Sequence, residues 1–318
     1  MVTSAVLGAG SWGTALAVLL ARNGNAVRLW GRDTAELSDI STRRRNDRYL
    51  PGIEVPASVE VGESSDADFY VLAVPSDAVR EVASRLPDDA LVVIAAKGLE
   101  AGGLRMSEVV REVRAGARVC VLSGPNLAVE IARGVPTATV IASDDGYAEQ
   151  VRDAFMCRTF RVYTSNDVVG VELGGALKNV LAIGAGVSDG LGFGDNTKGA
   201  FIARGLHEMC ALGEALGARR ETFMGLSGVG DLFATAVSRL SRNYRVGFSL
   251  GQGASLNDAI AELGQVAEGV PTAAAAVGLA ERTGIEVPVM QSVNRVLQGE
   301  ITPLEGVSML MERTAKTE

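Results

Sequence analysis

The stretch Val2-Thr3-Ser4-Ala5-Val6-Leu7-Gly8-Ala9-Gly10-Ser11-Trp12-Gly13 decides the fold. Its first six residues form a short apolar run that reads as a strand. Apolar spacing from Gly13 to Arg22 reads as a helix. The turn between them is Gly-x-Gly-x-x-Gly. Such glycines permit a tight turn, close approach of backbone to a pyrophosphate, and close packing of helix on strand. The helix N-terminus offers the phosphates free N–H groups and a favourable dipole. The motif alone is weak; a strand before it and a helix after it are the context that points to a dinucleotide. A purely structural glycine turn is the competing reading. Trp12, inside the loop, reads equally as packing or as a cofactor contact.

Outward from this turn the pattern repeats. Strands are expected at Ala26–Trp30, Asp68–Val74, Leu91–Ala96, Arg118–Leu122, Thr137–Ala142 and Arg161–Thr164. Amphipathic stretches such as Asp77–Arg85 and Met106–Arg114 lie between them. Alternating strands and helices mean an α/β fold, a Rossmann-like doubly wound parallel sheet with crossover helices. Near residue 165 the pattern changes. A long helix is expected from Asp167 to about Asp189, then helices at Lys198–Leu216, Tyr244–Leu250, Leu256–Leu263, Val270–Glu281, Val289–Leu297 and Pro303–Glu312. The expected organisation is a dinucleotide-binding domain over 1–165 and an all-helical substrate-binding and catalytic domain over 166–318. No Pro- or Ser-rich linker separates them, so a shared cleft is expected.

Composition narrows the chemistry. Of 318 residues, 30 are Lys or Arg and 38 are Asp or Glu, a formal net charge of -8. That balance argues against sequence-independent nucleic-acid binding, which needs a basic surface. His207 is the single histidine. Any Ser-His-Asp or Cys-His mechanism would need it, yet it sits mid-helix beside Arg204 and Cys210 and reads as an ordinary helix residue. Cys120, Cys157 and Cys210 are scattered and odd in number, which argues against a zinc site or a disulfide framework and for a reducing, cytoplasmic setting. No metal is expected. Neither a signal peptide nor an uninterrupted apolar run of membrane-spanning length is visible, so a soluble protein is expected. Acid–base work therefore falls to Lys, Asp, Glu or Tyr.

Lys178 is the one charge between Leu173 and Ser188. At helical spacing it neighbours Gly174, Gly175, Leu181, Ala182 and Ala185, a face that lets something approach closely. A lysine snorkelling to water is the bland reading. The functional reading is a partly desolvated lysine whose pKa is lowered, usable as a general base. Lys97 stands at the carboxyl end of its strand, and Ser123-Gly124-Pro125-Asn126-Leu127-Ala128 follows the next strand on the same edge. Those ends line the ligand crevice of such sheets. Further on, Gly225–Asp231 reads as a flexible turn ending in a carboxylate. Ser241-Arg242-Asn243 then opens a helix, where hydroxyl, N–H groups and guanidinium make an anion site. Together with Lys97 and Lys178 this suggests a phosphate-ester substrate. Of the 38 glycines, 24 fall after residue 165, and their excess is read as marking the site.

The end of the second strand, Trp30-Gly31-Arg32-Asp33, bears on cofactor choice. An acidic residue there would hold a ribose 2′-hydroxyl, and an arginine would pair with a 2′-phosphate. Asp33 is favoured as the N-cap of the next helix, so Arg32 leans the reading towards NADPH without excluding NADH.

These pieces resemble the bacterial-type NAD(P)-dependent glycerol-3-phosphate dehydrogenases over nearly the whole length. The resemblance rests on Gly8–Gly13, Tyr49-Leu50-Pro51-Gly52, Lys97-Gly98, Ser123-Gly124-Pro125, Glu172-Leu173-Gly174-Gly175-Ala176-Leu177-Lys178-Asn179, Gly230-Asp231, Ser241-Arg242-Asn243 and Val266-Ala267-Glu268-Gly269. It implies interconversion of dihydroxyacetone phosphate and sn-glycerol 3-phosphate, supply of the latter for phospholipid synthesis, and a homodimer. It implies Lys178 as proton acceptor, and substrate contacts at Lys97, Gly124, Asn126, Lys178, Asp231, Ser241, Arg242 and Asn243. Cofactor contacts are implied at Ser11, Trp12, Arg32, Lys97, Ala128, Arg242, Val266 and Glu268, beside the turn glycines Gly8, Gly10 and Gly13. Asn126 departs from the family's Ser or Thr, which leaves open whether side chain or backbone makes that contact. A 3-hydroxyacid or phosphogluconate-type dehydrogenase is the alternative enzyme, and a dinucleotide-sensing binding protein the non-enzyme alternative.

Overall fold

A computed structural model describes residues 2–63 and 66–314. The chain divides into two units. One comprises the residues up to Lys97 together with Leu104–Glu172; the other comprises Gly98–Gly103 and the residues from Leu173 onward. The expected limit at residue 165 coincides with the end of the last strand, a few residues before this division.

The first unit is built on an eight-stranded sheet: β1 Thr3–Leu7, β2 Ala26–Trp30, β3 Val59–Val61, β4 Phe69–Leu72, β5 Leu91–Ile94, β6 Arg118–Ser123, β7 Thr137–Ala142 and β8 Phe160–Ser165. Its helices are α1 Ser11–Arg22, α2 Thr34–Arg43, α3 Val79–Ala83, α4 Met106–Val113, α5 Ala128–Ala132 and α6 Ala148–Phe155. The strand order is β3-β2-β1-β4-β5-β6-β7-β8. The chain winds outward in one direction from β1 and in the other from β4, so the switch point lies between those two strands. The central strands of the sheet are buried on both faces. Val6, Val71 and Val93 face a layer that includes α1, α5 and α6; Ala5, Leu7, Leu72 and Ile94 face α3 and α4. That period of two explains why these strands read as continuous apolar runs.

Two features depart from the expected parallel sheet. Three-residue β3 joins β2, unannounced by a longer apolar run. More important, β7 runs antiparallel to β6, while β8 returns parallel to β7. A parallel neighbour needs a crossover of a dozen or more residues that carries the chain back along the strand. The β6–β7 link contains only the five-residue helix α5, too short for that return, so β7 starts from the same edge where β6 ends.

The second unit is helical among its described residues, apart from loops. Most of α7 (Val168–Gly190) belongs to it, followed by α8 Asp195–Ala215, α9 Arg220–Phe223, α10 Asp231–Val237, α11 Arg242–Gly251, α12 Leu256–Leu263, α13 Gly269–Thr283, α14 Pro288–Leu297 and α15 Pro303–Met311. By length and composition α7 would span a membrane, but 89% of its most apolar window is buried inside the protein. It is a core helix. Its neighbours come close enough to touch backbone: a Cβ on Gly247 of α11 would overlap the Ile183 carbonyl, and one on Gly186 of α7 would overlap that of Tyr244. Gly184 and Gly205 make similar room for Phe201 and Leu181. Much of the glycine excess in this half therefore serves helix packing rather than a ligand.

Candidate active site

In the first unit, the glycine turn joins the carboxyl end of β1 to α1. Gly8 has φ +125°, and a Cβ there would lie 2.5 Å from the Ala73 carbonyl oxygen beyond β4. A Cβ on Gly13 would overlap the Gly8 carbonyl itself. Gly10, in contrast, faces open space. It is the N-cap of α1 and provides no side-chain cap, so the first N–H groups of α1, from Ser11 on, are left for a ligand. This arrangement fits a pyrophosphate. Trp12 is committed in part: its indole N–H donates to the Ala95 carbonyl at 3.1 Å, tying the turn to the end of β5.

Along the same edge, Lys97 follows β5 and its Nζ donates to the Gly124 carbonyl at 2.8 Å, beyond the end of β6. Gly124, at φ +152°, packs against Thr139 of β7. Asn126 accepts from Thr139 Oγ1 at 3.0 Å through Oδ1, while its Nδ2 is buried without a partner. The Ser123 hydroxyl, also buried, lacks one too. Ala128 opens α5. Turn, Lys97, Gly124, Asn126 and Ala128 thus gather at the ends of neighbouring strands. Asp33 caps α2, accepting from the N–H groups of Ala35 and Glu36. Arg32 beside it is exposed.

In the second unit, Lys178 is only 6% exposed at the middle of α7. Its Nζ donates to Asp231 Oδ1 at 2.9 Å and to Thr235 Oγ1 at 2.6 Å. Thr235 in turn donates to Asp231 at 3.2 Å. Asp231 and Thr235 lie one turn apart on α10 and present both oxygens to one ammonium. The stretch before Asp231 is not the flexible turn expected. Leu226–Gly230 forms a π-helical segment that runs directly into α10. Glycine is needed there because a Cβ on Gly228 would overlap the Phe223 backbone, and one on Gly174 of α7 would come within 2.6 Å of the Ser227 carbonyl oxygen. The small face of α7 admits this segment, and the segment delivers Asp231.

Asn179, next to Lys178, accepts from Asn243 Nδ2 at 2.8 Å, and Asn243 Oδ1 accepts from Gly269 N at 2.9 Å. Asn243 thereby links α7, α11 and α13. Ser241 caps α11 by accepting from Tyr244 N. Arg242 follows at the first helical position; burial draws its pKa below the ordinary arginine value, partly offset by Glu268 at the start of α13. No hydrogen bond engages its guanidinium among the described residues. A desolvated cation at a helix N-terminus is suited to an anionic ligand. Val266, just before Glu268, is 46% exposed. His207 is exposed on α8, remote in chemistry from these groups. The three cysteines are free.

Sequence reasoning does not single out Thr235. Its one signal is its position four residues after Asp231 on a helix, which nothing local distinguishes from an ordinary helical threonine. Asn46 escapes it as well. It is 2% exposed, and its Nδ2 donates to the Ala9 carbonyl and to Thr14 Oγ1 at 2.7 and 2.8 Å, bracing the glycine turn.

Comparison with known proteins agrees with this architecture. Residues 3–148 match the family described as NAD-dependent glycerol-3-phosphate dehydrogenase N-terminus, and residues 167–308 match its C-terminus. A glycerol-3-phosphate dehydrogenase [NAD(P)+] of Pelotomaculum thermopropionicum is 49% identical, covering 97% of this chain and 93% of that protein. Another, from Carboxydothermus hydrogenoformans, is 46% identical, covering 98% of this chain and 97% of that protein. The crystal structure of glycerol-3-phosphate dehydrogenase from Coxiella burnetii superposes with a TM-score of 0.94 at 37% identity, over 98% of this chain and 99% of that one.

Proposed function

The chain belongs to the NAD-dependent glycerol-3-phosphate dehydrogenase family, and from that premise we propose that it interconverts dihydroxyacetone phosphate and sn-glycerol 3-phosphate using a nicotinamide dinucleotide. The observation that carries this reading is a buried lysine held by a carboxylate and a hydroxyl in an otherwise uncharged helix. The nicotinamide dinucleotide, when bound, supplies or accepts the hydride at C2 of the substrate. Lys178 takes the C2 hydroxyl proton in oxidation and returns it to the carbonyl oxygen in reduction. Asp231 and Thr235 orient its Nζ and keep the ammonium compensated where water is excluded.

Ser241, Arg242 and the N-terminus of α11 hold the substrate phosphate, and Asn243 stiffens that corner. Binding energy from the phosphate, remote from C2, is used to position the reacting carbon. Lys97, Gly124 and Asn126 are further substrate contacts in this reading, and the unpaired Nδ2 of Asn126 supports a side-chain contact. Gly8, Gly10, Ser11, Trp12 and Gly13 hold the pyrophosphate region, with Arg32, Ala128, Val266 and Glu268 as further cofactor contacts. Arg32 favours NADPH. The product feeds phospholipid synthesis. A homodimer in the cytoplasm is the proposed setting; the free thiols support a reducing compartment, and Phe233 and Val237 on α10, with Leu240 just beyond its end, offer exposed apolar surface to a second copy.

The test is stopped-flow absorbance of NADPH and NADH with dihydroxyacetone phosphate, alongside a panel of 3-keto acids. Oxidation with dihydroxyacetone phosphate alone is expected. Turnover confined to the keto acids would reassign the substrate class, and none at high enzyme concentration would favour a dinucleotide sensor.

A further inference from the structure

The loop that follows α2 has no part in the chemistry described above, yet it is anchored to the glycine turn. Its buried Asn46 donates to Ala9 and Thr14 of the turn and accepts from Tyr49 N at 3.2 Å. At its start, Arg44 takes φ +54° and its guanidinium donates to the carbonyls of Pro56 and Val59 at 2.6 and 2.9 Å. Between these anchors the loop presents Arg48. Its guanidinium lies 4.9 Å from the centre of the Tyr49 ring, a cation–π contact that steadies an otherwise exposed side chain.

Arg48 points at the end of β2. Its Nη1 is 3.8 Å from Asp33 Oδ2, within ionic range but beyond hydrogen-bond distance. The other Asp33 oxygen is occupied by the N–H groups of Ala35 and Glu36. The carboxylate that would otherwise hold a ribose 2′-hydroxyl is therefore engaged on both sides: one oxygen caps α2 and the other faces a cation. Glu36 also lies in the field of Arg48, and burial raises its carboxyl above the usual range. Arg32, adjacent to Asp33, is exposed, and no ion pair engages it among the described residues.

We propose that Arg48, braced by Tyr49 and positioned by Asn46, is a second guanidinium for the cofactor's 2′-phosphate, so that Arg32 and Arg48 grip it from either side of Asp33. This deepens the NADPH reading and rests on it. Two guanidiniums match a phosphate dianion better than one, and each charge-assisted contact discriminates between a phosphate and a hydroxyl. Asp33, by holding both the helix and Arg48, sets the guanidinium in place before the ligand arrives.

The test is calorimetric binding of 2′,5′-ADP and 5′-ADP to the full-length protein, its Arg48→Gln variant and its Arg32→Gln variant. Arg48 is exposed, so the substitution leaves the fold intact. Wild type is expected to prefer 2′,5′-ADP, and each variant to lose about ten- to a hundredfold of that preference, as for a lost hydrogen bond to a charged group. Tyr49→Leu is expected to lose a smaller part of it. If only Arg32→Gln lowers the preference, the role of Arg48 is overturned while the NADPH reading stands. If wild type shows no preference, both fall. If Arg48→Gln weakens the two ligands equally, the residue shapes the turn instead of reading the 2′-phosphate, and the proposal is overturned.

Discussion

The two units differ in the groups they offer to a ligand. In the first, the ligand-facing groups are mostly backbone. Gly8, Gly10 and Gly13 shape a turn that leaves the first N–H groups of α1 without a side-chain cap, and Lys97 and Trp12 donate to carbonyls at the ends of neighbouring strands. In the second, the reactive groups are side-chain charges taken out of water. Lys178 and Asp231 are paired at 2.9 Å with side chains 7% and 2% exposed. A buried pair gains little net stability over an apolar one, because desolvation offsets the attraction. Backbone recognition tolerates many sequences once the glycines are in place. A buried charge pair is specific and costly, which points to chemistry as its reason for being there.

The largest expected effect attacks that pair. Lys178→Ala should lower kcat by about 10²–10⁴-fold, the usual loss for a general acid–base group. Cofactor affinity, measured by fluorescence quenching, should be unchanged. The variant also leaves Asp231 buried without its cation, which destabilises by roughly 3–5 kcal/mol. Lys178→Met combined with Asp231→Asn should recover much of the stability and none of the turnover. Near-normal kcat in either protein would remove Lys178 from the mechanism and erase the contrast between the units.

A smaller effect separates the glycines. Ala at Gly13 would overlap the Gly8 carbonyl, and Ala at Gly247 would overlap that of Ile183. Both introduce a methyl into a filled space, with a cost of about 1–3 kcal/mol or somewhat more. The readouts should differ. Gly13→Ala should weaken dinucleotide binding beyond its effect on stability, because the turn must open. Gly247→Ala should lower the urea midpoint and leave dinucleotide affinity alone. Loss of dinucleotide binding in Gly247→Ala at temperatures where it is folded would mean that the helical half's glycines serve the ligand after all.

How much of this is legible in the sequence follows the same division. Strand and helix identity through most of the first unit can be read because central strands such as β4 and β5 are apolar on both faces and amphipathic stretches lie between them. The direction of β7 cannot, since it depends on the reach of the β6–β7 link and not on β7 itself. Lys178 stands out in sequence because an uncharged helix makes it conspicuous. Thr235 does not, because a threonine four residues from an aspartate has no local signature. Leu226–Gly230 looks flexible because glycine permits many conformations. Only the contact of Gly228 with the Phe223 backbone shows that glycine is there to fit. Long-range packing decides each of these points.

The smallest effect concerns two buried glutamates, one in each unit. Glu172 accepts from Ser107 N and Oγ at 2.8 and 2.5 Å and pairs with Arg105 at 3.1 Å. Glu208 of α8 caps α14 instead, accepting from the N–H groups of Val289 and Met290 at 2.7 and 3.0 Å. Burial pushes the Glu208 carboxyl up to about 7; the two N–H donors and the more distant Arg204 and Arg313 only partly oppose this. A carboxyl whose folded pKa exceeds its unfolded value binds its proton more tightly when folded. Its stabilising contribution is therefore complete below the ordinary carboxylate range and is lost as pH rises through about 7. Between pH 5 and pH 8 the loss should be about 2 kcal/mol. Glu208→Gln keeps an acceptor for one of the two N–H groups and removes the titration. Urea unfolding of both proteins across that range should show their stability difference shifting in favour of Glu208→Gln as pH rises. Parallel pH profiles would show that the two N–H donors compensate the Glu208 carboxylate fully, and that its burial carries no cost that depends on pH.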